Sequence, residues 1–180
     1  LGNLNLALEQ VLSLPVGTYL AFHQHIFHAQ TVLKVHTTEL DAFAGVDAHQ
    51  SCQTSIENFI VQAEHIERAS SLTVLNLMLQ PIAKEQLAAQ LENLIKNPPH
   101  FLILQGFGTG NIATNSELLN LFGALYERGC VVIISSQVVF GKLDQRYAVS
   151  SWIENAKVLI NDCHSHADLY AKALQMYLKY

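Results

Sequence analysis

The segment Phe101–Asn111, FLILQGFGTGN, constrains the fold more than any other part of this chain. Four consecutive apolar residues, Phe101 to Leu104, run directly into Gly106, Gly108 and Gly110 and stop at Asn111. So short an apolar run with so sharp an edge is the pattern of a buried parallel strand. Glycines just past a strand allow positive φ and close approach of another molecule. In open α/β sheets the crevice beyond the carboxyl ends of the strands is where ligands sit, so this loop is a candidate site.

The flanking residues extend the pattern. Thr114-Asn115-Ser116-Glu117 has the form of a capping box and predicts a helix start. Leu118, Leu121, Phe122 and Leu125 recur at helical spacing, and Gly129 supplies a stop. Cys130–Ile134 reads as a second buried strand, which makes strand, glycine loop, helix and strand a βαβ unit.

A chain of 180 residues with 50% hydrophobic and 14% charged residues can bury a full core. Its net charge of −5 and the lack of a lysine/arginine cluster argue against nucleic acid or an anionic membrane as partner. No apolar run reaches the ~20 residues that a membrane-spanning helix needs. Cys52, Cys130 and Cys163 are too few and too scattered for a disulfide framework or a zinc knuckle. They fit a reducing compartment, and a cytoplasmic protein is expected. Cys130, at a strand start, reads as a small core residue.

Along the chain, residues 3–13 predict a helix ended by Pro15 and Gly17. Its Leu4, Leu6, Ala7, Leu8, Val11 and Leu12 give it the look of a buried helix already under way, so the chain reads as a fragment of a longer protein. Thr18–Phe22 reads as a strand, followed by a polar, histidine-rich segment through His36. Ser71–Leu79 is a predicted strand broken by Pro81, and Glu85–Lys96 a predicted amphipathic helix halted by Pro98-Pro99. A loop at 137–144, a helix near 145–156 and a last helix at 167–178 complete the reading. Ser165-x-x-Asp168 caps that last helix. The expected organisation is the end of a larger α/β domain at 1–45, a connector at 46–70 and an α/β domain at 71–180. The fold class is α/β, a parallel-sheet layer flanked by helices.

Three ordered segments carry a resemblance: Gly2 with Asn5-Leu6, then Lys34, His36 and Leu40-Asp41-Ala42-Phe43, then Gln105–Asn111. The chain resembles the C-terminal half of bacterial asparaginase/glutaminase-type amidohydrolases. Ser136-Gln137 with Gly141-Lys142 is similar to that family's second C-terminal loop, and Met176-Tyr177-Leu178 to its ending. The resemblance implies hydrolysis of the side-chain amide of L-asparagine to L-aspartate and ammonia, without a cofactor, by a homo-oligomer that is a dimer of dimers. The family's chemistry uses two threonines, an aspartate and a lysine, because a hydroxyl attacks at neutral pH only with a base and with donors for the oxyanion.

Neither a Thr-Gly-Gly-Thr nor a Gly-Thr-Asp-Thr segment occurs in this sequence. The resemblance carries over a catalytic role to Lys34 alone, with Leu33 standing where the family has threonine. It carries over a substrate-binding role to Asn111, reaching across a dimer interface. Asn111 as a turn residue bonded within its own loop is the other reading of that position. Val138 replaces the cysteine of the allosteric branch, so an effector pocket is not implied. Asn161-Asp162 stand where paired glycines often precede the last helix. The fragment by itself is expected to be inactive.

Nine histidines are many for this length. His23 and His25 would share one face of a strand, with His28 close by. The aligned family positions are not metal ligands, so no metal is expected, and His164 and His166 are expected to face solvent. Two other classes compete: a non-catalytic assembly or amino-acid-binding module, and a nucleotide-binding domain. The second is disfavoured by GxGxG spacing and by the lack of an acidic residue at Ile134-Ser135.

Overall fold

Strands β5 (Val74–Met78), β6 (Phe101–Gly106), β7 (Val131–Ser136) and β8 (Val158–Ile160) form a parallel sheet in the order β5-β6-β7-β8. The computed structural model describes residues 1–52, 59–140, 143 and 152–180. The chain divides into two units, one of residues 1–61 with 163–171, the other of residues 62–162 with 172–180.

The sheet belongs to the second unit. Phe101 pairs with Val74 on one side and Val131 on the other, and Val132 pairs with Val158. All six residues of β6 are buried, as a central strand covered on both faces requires. Helix α3 (Lys84–Leu94) connects β5 to β6, and α4 (Ser116–Glu127) connects β6 to β7. Leu87, Ala88 and Leu91 of α3 meet Leu118, Phe122 and Leu125 of α4 over Leu102, Leu104, Val132 and Ile134. Leu94 and Ile95 of the same predicted amphipathic stretch pack at its margin. Cys130 is fully buried there, and desolvation pushes its thiol from 9.0 up to about 11.

The cap of α4 lies one residue later than the sequence suggested. Asn115, in extended conformation, accepts the Leu118 amide at 2.9 Å, and Thr114 stands outside the helix. Helix α2 (Ala63–Ala69) lies inside the stretch read as a connector, its start closed by Gln62 and His65 bonding each other's backbone. The predicted helix near 145–156 falls mostly outside the described residues. Within its described end, Ile153–Asn155 forms a short 3-10 turn that leads into β8, a strand the sequence reading missed.

The first unit opens with α1 (Gly2–Gln10). The expectation of a buried helix fails: no residue of α1 is buried, and Leu4, Leu8, Val11 and Leu12 are exposed. Only Leu6, Ala7 and Gln10 are half-buried, on the narrow side that meets β1 (Tyr19–Phe22). Apolar content forms the helix here without burying it.

The histidine-rich segment holds a second strand, β2 (His25–His28), paired antiparallel to β1 from Tyr19↔His28 to Phe22↔His25. His23 and Gln24 make the two-residue turn, with φ of 43° and 67°. His23 therefore sits in the turn and does not share a strand face with His25, which stacks on Phe27 instead. A 3-10 turn at Ala29–Thr31 follows, its buried Thr31 hydroxyl donating to the His28 carbonyl and accepting from the Val46 amide. Then β3 (Leu33–Lys34) pairs antiparallel with β4 (Phe43–Ala44). Helix α5 (His166–Lys179) ends the chain, and the Ser165 hydroxyl accepts the Asp168 amide at its start.

Candidate functional site

At the carboxyl end of β6 the backbone doubles back at once. The Phe107 amide donates to the Asn111 carbonyl at 2.9 Å, while the amides of Gly110 and Asn111 both donate to the Phe107 carbonyl. So tight a return leaves no space for a side chain at its root. A Cβ on Gly106 would lie 2.7 Å from the Asn111 carbonyl oxygen and from Gly110. Gly110 has φ +92, and a side chain there would also overlap Leu143.

Asn111 is half-buried at the end of this loop. Its backbone closes the turn, and no described residue hydrogen-bonds its side-chain amide. An amide held on a rigid backbone, with both donor and acceptor unengaged, suits a ligand that carries charges of both signs.

The end of β7 holds the loop in place. The Gln137 amide N–H donates to the Gly106 carbonyl at 3.0 Å. Its side chain donates from Nε2 to the carbonyls of Leu79 at 2.6 Å and Gln105 at 3.0 Å, so one residue ties together the ends of β5, β6 and β7. The Ser136 hydroxyl donates to the Gly108 carbonyl, inside the loop, and accepts from the Val138 amide at 2.8 Å.

Beneath the loop a polar row crosses the sheet. Gln105 Nε2 donates to Asn76 Oδ1 at 2.8 Å, and Asn161 Nδ2 donates to Ser135 Oγ at 2.9 Å. Gln105 and Ser135 face each other in register and are both buried. Among the described residues Gln105 Oε1 has no hydrogen-bond partner. Sequence reasoning noted Gln105 and the Ser136-Gln137 pair only as parts of motifs, named Ser135 and Asn161 only for the residue types they replace, and passed over Asn76. The available signal was their interruption of otherwise apolar strands, as in Val74-Leu-Asn-Leu-Met78.

Lys34 lies in the first unit, on the two-residue strand β3. Its side chain is exposed, with the ammonium 5.9 Å from the centre of the Phe43 ring. No described hydroxyl or carboxylate hydrogen-bonds it. Lys34 and Asn111 thus stand in different units, and neither unit holds both.

Several histidines are occupied locally. His28 Nε2 donates to the Gln50 carbonyl at 3.0 Å, and its ring lies 5.2 Å from that of Tyr19. Among the described residues no three His, Cys, Asp or Glu side chains are grouped so as to hold a metal ion. Among them, too, no helix is long and apolar enough to cross a membrane.

No family model matches the chain. Over 176 residues it is 26% identical to L-asparaginase 1 of Escherichia coli strain K12, and equally to that of Escherichia coli O157:H7. The match takes in 88% of this chain and 50% of each relative, so the chain spans about half the length of the curated relatives it matches. Among solved structures, L-asparaginase I of Vibrio cholerae O1 biovar eltor matches with a TM-score of 0.67 and 22% identity, covering 99% of this chain and 55% of that one. The thermostable L-asparaginase of Thermococcus kodakarensis matches with a TM-score of 0.69 and 22% identity, covering 98% and 58%. The resemblance expected from the motifs is therefore present in sequence, and the fold is the one those structures have.

Proposed function

We propose that this chain, a distant relative of bacterial L-asparaginases, is the C-terminal half of an amidohydrolase that converts L-asparagine to L-aspartate and ammonia. Lys34 belongs to the proton relay that activates a threonine supplied by the rest of the parent protein. Its ammonium either gives up a proton to act as base or stays charged and orients the threonine and its aspartate. Asn111 contacts the amino-acid end of the substrate bound by a neighbouring subunit of a homo-oligomer. The observation that carries the reading is the glycine loop, which holds the Asn111 amide unengaged at the carboxyl edge of an asparaginase-like sheet.

The domain assignment follows from the same reading. Residues 1–45 close the parent's first domain, 46–70 connect, and 71–180 form the second domain. By itself the 180-residue chain is inactive, since the sequence holds neither threonine motif. A second reading, a non-catalytic assembly module, is favoured for the isolated chain by the exposed Lys34 with its ammonium over Phe43.

Ammonia release from asparagine and glutamine by the 180-residue chain tests this first. It is expected at background, and robust turnover would refute the need for the missing threonines. In the complete parent, Lys34→Met is expected to lower kcat by about 10²–10⁴-fold with the fold intact. Wild-type turnover in that variant would remove Lys34 from the relay. Binding of NAD or ATP by the chain would instead support a nucleotide site.

A further inference from the structure

The loop that presents Asn111 is internally closed, and its Gly108 and Gly110 contribute no side chain to fix its angle to the sheet. Phe107 and Asn111 bond each other, and the residues between them are Gly108, Thr109 and Gly110. Beyond the buried Ile112 that follows it and Leu143 against Gly110, two glycines in so short a return leave its tilt to be set by hydrogen bonds from outside. Two of its carbonyls are held in this way, Gly106 at the root and Gly108 within the loop. Both are taken by consecutive residues of β7's end: Gln137 N–H on Gly106 and the Ser136 hydroxyl on Gly108.

Gln137 is anchored in turn. Its side-chain amide binds the Leu79 and Gln105 carbonyls, so the residue that grips the loop's root is fixed to the two neighbouring strand ends. Ser136 is fixed by the Val138 amide, which donates to its hydroxyl and so directs the hydroxyl proton onto Gly108. Support of this kind is what holds a binding group within a fraction of an ångström of its working position.

We propose that Ser136 and Gln137 are positioning residues that set the orientation of Asn111, Ser136 through the Gly108 carbonyl and Gln137 through the root of the loop. The inference rests on the reading of Asn111 as a substrate-binding group. Neither side chain touches substrate in this scheme; each acts through the loop backbone.

Ser136→Ala, with Ser136→Thr as the hydroxyl-retaining control, separates positioning from general support. In the 180-residue chain, amide hydrogen exchange at Phe107, Gly110 and Asn111 is expected to quicken about tenfold in Ser136→Ala, the effect of one lost hydrogen bond. Exchange at Leu102 and Leu104 of β6 should not change, and Ser136→Thr should restore the loop. Unchanged loop exchange, or equal loosening of β6, would overturn the proposal. In the complete parent, Ser136→Ala should raise KM for asparagine several-fold with kcat nearly kept. Loosened loop amides with an unchanged KM would instead overturn the substrate-binding role of Asn111, which distinguishes the two failures. Gln137→Ala is expected to repeat the pattern, and an unmoved loop in that variant would remove Gln137 from the scheme.

Discussion

Gly106 must be glycine because the returning backbone fills the place of a side chain. Gly106→Ala is expected to cost about 1–3 kcal/mol, the usual penalty for overpacking, and to lower the urea midpoint. His23 and Gln24 present the opposite case. Both hold positive φ without being glycine or asparagine, so no residue type announces the turn. Gln24→Gly is expected to raise stability by about 0.5–1 kcal/mol, measured as a higher thermal midpoint, because the left-handed conformation then carries no Cβ penalty. Cys130 adds a pH dependence. Its folded-state thiol titrates at about 11 against 9.0 for a free one, so the unfolded chain loses its proton first. Stability from this group is complete below pH 9 and falls as pH rises toward 11, by roughly 2–3 kcal/mol in all. A urea titration at pH 8 and pH 11 in wild type and Cys130→Ala would isolate that loss as the difference between the two slopes with pH.

At the scale of elements, legibility followed hydrophobic periodicity. Strands β5, β6 and β7 and helices α3 and α4 bury faces that repeat at the proper spacing, so the apolar residues gave them away. Strand β8 is short and half-exposed, and β2 is only Ile26 and Phe27 flanked by His25 and His28, so neither resembles a buried run. Cap chemistry was right in kind and wrong by one residue. Thr114 offered the capping-box pattern, yet Asn115 takes the position because its side-chain oxygen reaches the Leu118 amide. Asn115→Ala is expected to destabilise the chain by about 1 kcal/mol, and Thr114→Ala to leave it nearly unchanged, both read from denaturant unfolding. In helix α1 the apolar residues that form the helix carry no sign of whether anything covers it. Leu8→Gln on its exposed side is expected to shift stability by less than about 0.5 kcal/mol. Leu118→Ala in the core should cost about 3 kcal/mol in the same measurement.

At the scale of the whole molecule, the fold class and the resemblance were legible because they rest on ordered motifs spread over the chain. The site was legible only in part. Lys34 and Asn111 lie in different units, and the residues that steady Asn111 act through backbone carbonyls, which no side-chain pattern encodes. The sheet order has a further consequence for the birth of this domain. Because β5, β6, β7 and β8 stand side by side in the order in which they are synthesised, each strand leaving the ribosome finds its partner already emerged. None of these four strands has to insert between two others, and none of them waits for a distant C-terminal partner before it can pair. The slow step usual for parallel sheets, closing a helix-length crossover, is thereby divided into successive small closures. Growth by accretion also leaves the glycine loop unheld until β7 docks, so the Asn111 amide is fixed in place only after the chain has been made through Gln137.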